Sequence, residues 1–183
     1  RGKMSKALIV NLDKCTGCRY CELACSFAHH GEYNPAKSNI QVSIFTEDAF
    51  YVPMVCTQCD RPFCGEVCPT GAISADEVNG AYVVLVDPEK CVGCKMCTMA
   101  CPFGAPQFPE GNVFGARGAM DKCTFCAGGP EENFSKEEKQ LYGQNRIAEG
   151  KPPLCSAMCA TKALLAGDAD VVADVFRERV FNR

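Results

Sequence analysis

Long apolar runs are missing from this 183-residue chain. The strongest, residues 7–10 (ALIV) and 82–86 (YVVLV), fall far short of the roughly 20 residues that a membrane-spanning helix needs. No block of Lys and Arg tracks along the sequence in the manner of a nucleic-acid binder. No Ser–His–Asp set, phosphate-cradling glycine loop or dinucleotide fingerprint is present, which removes the usual motifs of hydrolysis, phosphoryl transfer and hydride transfer. Residues 1–6 carry neither an apolar stretch nor a small-residue cleavage site. The expected location is therefore cytoplasmic, or exported only in the company of a partner that bears the signal. Histidine is scarce, with only His29 and His30.

Cysteine is abundant instead. There are sixteen, close to a tenth of the chain. That density has two common causes, a disulfide scaffold or a metal protein. The chain is long for a small secreted scaffold, and its cysteines stand two or three residues apart, too close for easy disulfide closure.

The cysteines form four quartets. The first is Cys15, Cys18, Cys21 and Cys25, and the second is Cys56, Cys59, Cys64 and Cys68. The third, Cys91, Cys94, Cys97 and Cys101, repeats the C-x2-C-x2-C-x3-C spacing of the first. The fourth is Cys123, Cys126, Cys155 and Cys159, with 28 residues inserted between its second and third members. A tight triplet of thiolates with a fourth cysteine three residues on is the ligand pattern of a two-cluster ferredoxin, in which the fourth cysteine serves the other cluster. Pro69 and Pro102 follow Cys68 and Cys101 as in that pattern, whereas Ser26 and Ala160 follow Cys25 and Cys159. Zinc sites show paired knuckles rather than such triplets. The sixteen cysteines thus predict four [4Fe–4S] clusters. Counted with its thiolates and oxidised cluster cores, the chain's formal charge of −3 becomes about −11, which suits docking on a basic patch.

Residues 69–90 make a connector of ferredoxin length, which pairs the second quartet with the third and leaves the first with the fourth. Exchange of the fourth cysteine then groups Cys15, Cys18, Cys21 and Cys159; Cys25, Cys123, Cys126 and Cys155; Cys56, Cys59, Cys64 and Cys101; and Cys68, Cys91, Cys94 and Cys97. The alternative pairs the first quartet with the second and the third with the fourth. The fold class predicted is α+β: two intertwined bacterial-type ferredoxin-like modules of short strands, short helices and many loops. Residues 1–50 plus 110–183 form the outer module and residues 51–109 the inner one.

Strands are expected over residues 6–12, 40–45 and 81–86, the last entered by the turn signal Asn79–Gly80. Helices are expected to start near Arg19, Lys95 and Ser156. Ser135 and Glu138 resemble a capping box for a helix over residues 136–147. Residues 170–181 place Val171, Val172, Val175, Phe176 and Val180 on one stripe, capped by Asp168 or Asp170, to pack on the chain's own core. Ile9, Val55, Ile73, Val92 and Leu164 are expected to dry the clusters. His29 and His30 are expected at a surface or interface, and Met96 and Met99 in packing beside a cluster. Lys95, Lys122 and Lys162 flank ligands and either tune them by charge or are simply solvated.

The segments ACPFGAPQ (residues 100–107), MDKCTFCAGGP (120–130), NRIAEGKPPLC (145–155) and TKALLAGD (161–168) resemble formate dehydrogenase β subunits. CSFAHHGEYNP (25–35) and SNIQV (38–42) are similar to the small subunit of tungsten aldehyde oxidoreductases. Nearly the whole chain resembles the four-cluster electron-transfer subunits of molybdenum and tungsten oxidoreductases. The resemblance implies a non-catalytic subunit that relays single electrons for a large tungsten- or molybdenum-pterin subunit, of aldehyde oxidoreductase type first and formate dehydrogenase next. It also implies the exchanged pairing above, a hetero-oligomer, and a further redox subunit or soluble electron carrier. Two other functions fit the cysteines: a free polyferredoxin shuttle, which would purify alone, and a zinc-stabilised scaffold, which would be colourless.

Overall fold

The computed structural model describes residues 6–78, 81–108, 118–127 and 151–181. The expected helix over 136–147 and the turn Asn79–Gly80 lie outside these. Among the described residues the strands form three antiparallel pairs. Strand β1 (Lys6–Val10) and strand β6 (Leu164–Asp168) join the two ends of the chain, with Lys6 opposite Asp168 and Val10 opposite Leu164. Strands β2 (Ile40–Phe45) and β3 (Phe50–Val55) make a hairpin, as do β4 (Ile73–Val78) and β5 (Ala81–Val86). The helices are α1 (Tyr20–His30), α2 (Phe63–Glu66), α3 (Met96–Ala100), α4 (Leu154–Ala157) and α5 (Ala169–Phe181).

The strand expected over 6–12 stops at Val10. Asn11 still donates its N–H to Ala163 O at 2.7 Å, and Leu12–Lys14 then curl into a 3-10 turn that delivers Cys15. Strands β2 and β5 keep the expected bounds. Strands β3, β4 and β6 show less alternation, and their partners decide them. Hairpin β2–β3 spans residue 50, where the sequence suggests a module boundary.

Strand β5 is the seam of the molecule. One face, carrying Val84 and its neighbours Tyr82 and Val86, packs with Ile73 and Cys97. The other, carrying Ala81 and Val83, packs with Phe125, Leu8 and Cys123. A strand buried on both faces reads as a continuous apolar run, which YVVLV is. Helix α1 packs on α4, and α2 on α3. Helix α5 lies on β1 and β6, capped by Asp168, whose Oδ1 accepts the Asp170 N–H at 3.2 Å. Its stripe divides: Val172 is buried and Val175 and Phe176 half-buried, but Val171 and Val180 face solvent.

Glu22 is wholly buried on α1. Its Oε1 accepts the Val42 N–H of β2 at 2.6 Å, and its Oε2 accepts from Arg19 Nε at 2.7 Å. Losing an acceptor from a buried N–H costs about 1–3 kcal/mol. Glu22→Ala should lower the denaturation midpoint by a corresponding amount. Glu22→Gln, which keeps an acceptor oxygen, should lie nearer the unaltered chain when both are followed by loss of visible absorbance.

Candidate functional site

The first C-x2-C turn of each quartet holds its third residue in the left-handed region: Gly17 at φ 66°, Gln58 at 50°, Gly93 at 63° and Phe125 at 56°. A left-handed residue in a tight turn aims successive N–H groups into one concavity, which suits sulfur and other anions. One such donor reaches sulfur directly, Phe125 N–H to Cys123 Sγ at 3.5 Å, and from outside the turns Met120 N–H reaches Cys91 Sγ at 3.3 Å. At Gly17 glycine is needed twice over, since a Cβ there would lie 2.3 Å from Tyr51 Cδ1. Arg19 and Lys95, also left-handed, then launch α1 and α3.

The fourth cysteines of the second and fourth quartets share a second device. The stretches CPTGAI (68–73) and CATKAL (159–164) bend alike, with Gly71 at φ 63° and Lys162 at 54°. Thr70 and Thr161 place their Oγ1 atoms 3.6 and 3.7 Å from the Cys68 and Cys159 sulfurs. Burial would raise the Cys68 thiol, but hydrogen bonds from the Thr70 hydroxyl and the N–H groups of Ala72, Thr70 and Ile73 hold it below its ordinary value. Cys159 is treated likewise: burial is outweighed by Leu164 N–H, the Thr161 hydroxyl and the N–H groups of Ala163 and Thr161.

All sixteen cysteines are free thiols. Cys15, Cys18, Cys21 and Cys159 line one cleft, together with Val42, Pro53 and Leu164. Cys68, Cys91, Cys94 and Cys97 line another, with Ile73, Phe108 and Met120. Cys25, Cys123, Cys126 and Cys155 stand close enough to feel one another's charge, as do Cys64, Cys56 and Cys101. Cys59 follows Cys56 in the same turn, its Sγ 3.3 Å from Thr57 Oγ1. Thiolate donors around an apolar cleft, with backbone N–H groups aimed at sulfur, fit a [4Fe–4S] group.

The interior thiols resist ionisation on their own. Burial pushes Cys21 up to about 12 and Cys25 up to about 11. Burial and neighbouring thiols push Cys123 and Cys155 well up too. Iron must therefore displace protons that the metal-free fold prefers to keep.

Several side chains stand elsewhere than the sequence suggests. His29 is buried, not at the surface, and its Nε2 lies 3.8 Å from Cys126 Sγ. Burial holds its imidazole below the ordinary value, while Asp121 pulls up and His30 pushes down. Met96 and Met99 point to solvent, at 48% and 88% exposure, because α3 is a single turn whose inward position is taken by Cys97. Val92 is also half-open to solvent although it borders the Cys91 cleft. Lys95 and Lys162 are exposed, but Lys122 is completely buried. Its Nζ donates to Val84 O and, at 3.3 Å, to Cys123 O. The only sequence hint of that burial is its place beside a ligand.

Cysteine quartets carried on short antiparallel pairs and single-turn helices define an α+β iron–sulfur protein of ferredoxin-like type. Residues 47–169 and residues 14–73 each match the 4Fe-4S dicluster domain, and the chain belongs to that family. Two dicluster matches imply four [4Fe–4S] clusters on the sixteen cysteines. The chain is 49% identical over 175 residues to the formate dehydrogenase iron-sulfur subunit of Wolinella succinogenes, covering 93% of this chain and 84% of that one. It is 31% identical to the iron-sulfur cluster-binding subunit of the menaquinone reductase of Nitratidesulfovibrio vulgaris, covering 91% and 76%. It is 40% identical to the polyferredoxin-like subunit of the aliphatic sulfonate oxidoreductase of Pyrococcus furiosus, covering 68% and 67%.

The raised thiols fix a pH dependence. In the metal-free fold the neutral Cys21 and Cys25 contribute stability that is complete below their ordinary value of 9.0, and that is lost as pH climbs through about 11 and 12. Loading runs the other way, because protons compete with iron for the same sulfurs. Anaerobic reconstitution with ferrous iron and sulfide should release protons, measurable with an indicator dye. Iron uptake should fall as pH drops from about 8 to about 6.

Proposed function

We propose that this chain is the electron-transfer subunit of a hetero-oligomeric oxidoreductase and takes no part in the substrate chemistry. The four [4Fe–4S] clusters would supply one-electron redox centres in series, and the protein's part is to space them, exclude water and adjust their surroundings. The observation that carries this reading is the 49% identity over 93% of the chain to a formate dehydrogenase iron-sulfur subunit. It favours a molybdenum- or tungsten-pterin catalytic partner of formate dehydrogenase type. A tungsten aldehyde oxidoreductase partner is the second reading, and segments 25–35 and 38–42 favour it.

The four ligand sets are Cys15, Cys18, Cys21 and Cys159; Cys25, Cys123, Cys126 and Cys155; Cys56, Cys59, Cys64 and Cys101; and Cys68, Cys91, Cys94 and Cys97. Two shared clefts and two groups of mutually charged thiols support this assignment. The two modules are intertwined, the outer one formed from both chain ends through β1 and β6. Val42 and Val55 pack with Cys21, Cys25 and Cys155, so hairpin β2–β3 belongs with the outer module and extends it to residue 55. Among the described residues no helix is long and apolar enough to cross a membrane. We place the complex in the cytoplasm, or outside it when the catalytic partner carries an export signal.

Anaerobic purification from the native host, with Fe, Mo, W and Zn measured on whatever co-elutes, tests the function. About sixteen irons per chain and molybdenum or tungsten in a large companion are expected. A chain that purifies alone with its iron would make it a free shuttle, and zinc without iron would remove the reading altogether. The ligand sets have their own test. Cys101→Ser should disturb the cluster of Cys56, Cys59 and Cys64 and spare that of Cys91, Cys94 and Cys97. Low-temperature EPR showing the reverse would overturn the exchange.

A further inference from the structure

Two fully buried polar side chains, Gln58 and Lys122, close a ring across the seam between the modules. Gln58 Oε1 accepts the Val84 N–H at 2.8 Å, and its Nε2 donates to Cys123 O at 2.6 Å. Lys122 Nζ donates to Val84 O and to the same Cys123 O. Both backbone groups of Val84 on the open edge of β5 are thereby paired.

Gln58 leaves Val84 O to Lys122, and a buried ammonium in that place is costly unless negative charge lies beside it. Among the described residues no carboxylate pairs with Lys122. The Asp121 carboxylate takes the Lys122 backbone N–H at 2.7 Å, and the other acidic groups at hand are cysteine sulfurs. Cys123 is the next residue and its carbonyl accepts from both Lys122 Nζ and Gln58 Nε2, and Gln58 lies in the turn between Cys56 and Cys59, so the buried Nζ stands between the two cysteine turns. The ammonium thus sits between two ligand sets of different modules.

We propose that Lys122 is a positioning residue that acts as the shared counter-ion of the two central clusters, those of Cys56, Cys59, Cys64 and Cys101 and of Cys25, Cys123, Cys126 and Cys155. This inference rests on the ligand sets given under the proposed function. A fixed positive charge favours the reduced form of a nearby cluster, whose charge is one unit more negative. Lys122 therefore raises the potential of at least one central cluster relative to the outer two.

The test is EPR-monitored redox titration of the anaerobically purified complex, with iron and sulfide counted first. Fewer than four clusters in the unaltered chain would fail the underlying ligand sets, before any Lys122 variant is read. With four present, Lys122→Met should lower one or both central potentials and leave the other two unmoved. Lys122→Arg should restore them. A fully loaded Lys122→Met with unchanged potentials would overturn the proposal. Should that variant lose iron, Lys122→Gln keeps hydrogen-bond donors without charge. Full loading and unshifted potentials in Lys122→Gln would also overturn it, and so would loss of iron in Lys122→Arg. Iron lost in both neutral variants and kept in Lys122→Arg would support the counter-ion role.

Discussion

A thiolate buried away from water is stable only beside positive charge, and this chain buries many of its sulfurs. Cys21, Cys25, Cys123 and Cys155 are held so far from solvent that they stay protonated unless metal takes their place. The rest of the molecule is arranged around that demand. Among the described residues its sheets are two-stranded pairs, each marginal alone in water. Its helices beside the ligands, α2, α3 and α4, run only four or five residues, too short to stand without packing. Secondary structure so slight cannot hold the sulfurs in place by itself. Ligation and folding are one process here, and the hairpins mainly set which sulfurs meet.

The internal repeat shows how the demand is met twice with different residues. Glycine supplies the left-handed turn in the first and third quartets, and at Gly17 no side chain would clear Tyr51. Gln58 and Phe125 occupy the same conformation in the second and fourth, against the usual preference. Each has a compensating contact. Gln58 spends its amide on Val84 and Cys123, and Phe125 fills the face of β5 that carries Val83. Both left-handed side chains are thus tied to strand β5. Turns that serve one quartet alone have no such need and keep glycine.

Legibility in the sequence follows the same division. The quartets, β2, β5 and the start of α1 after Arg19 can be read because local spacing and periodicity decide them. Strand β6 cannot, since LLAGD is too brief to carry a period and owes its form to β1, some 150 residues away. His29 is misplaced by sequence because a histidine near a helix end next to Gly31 looks solvated. Only the fold brings the turn of Cys126 over it. Met96 and Met99 are misplaced for the opposite reason: apolar residues one turn apart suggest an inward face, but α3 has just one turn and Cys97 occupies it. Beyond its place beside a ligand, Lys122 carries no sequence sign of burial. Its depth comes from β5 and the second quartet closing over it.

Strand β5 lies inside the longer dicluster match and beyond the end of the shorter one, and both of its faces are buried. Its even positions pack into one apolar cluster, with Ile73 and Cys97, and its odd positions into another, with Phe125 and Leu8. Its free edge, which would otherwise expose unpaired backbone groups, is stopped by side chains flanking Cys56 and Cys123. A strand shared in this way cannot be assigned to one unit without leaving the other's core open. The connection is short, buried and polar, and it ties the turn of Cys56 and Cys59 to the carbonyl of Cys123. Opening this join would bare the Val84 backbone and the Lys122 side chain together, so the two faces of β5 are held as one body by the contacts that join the turn of Cys56 to that of Cys123.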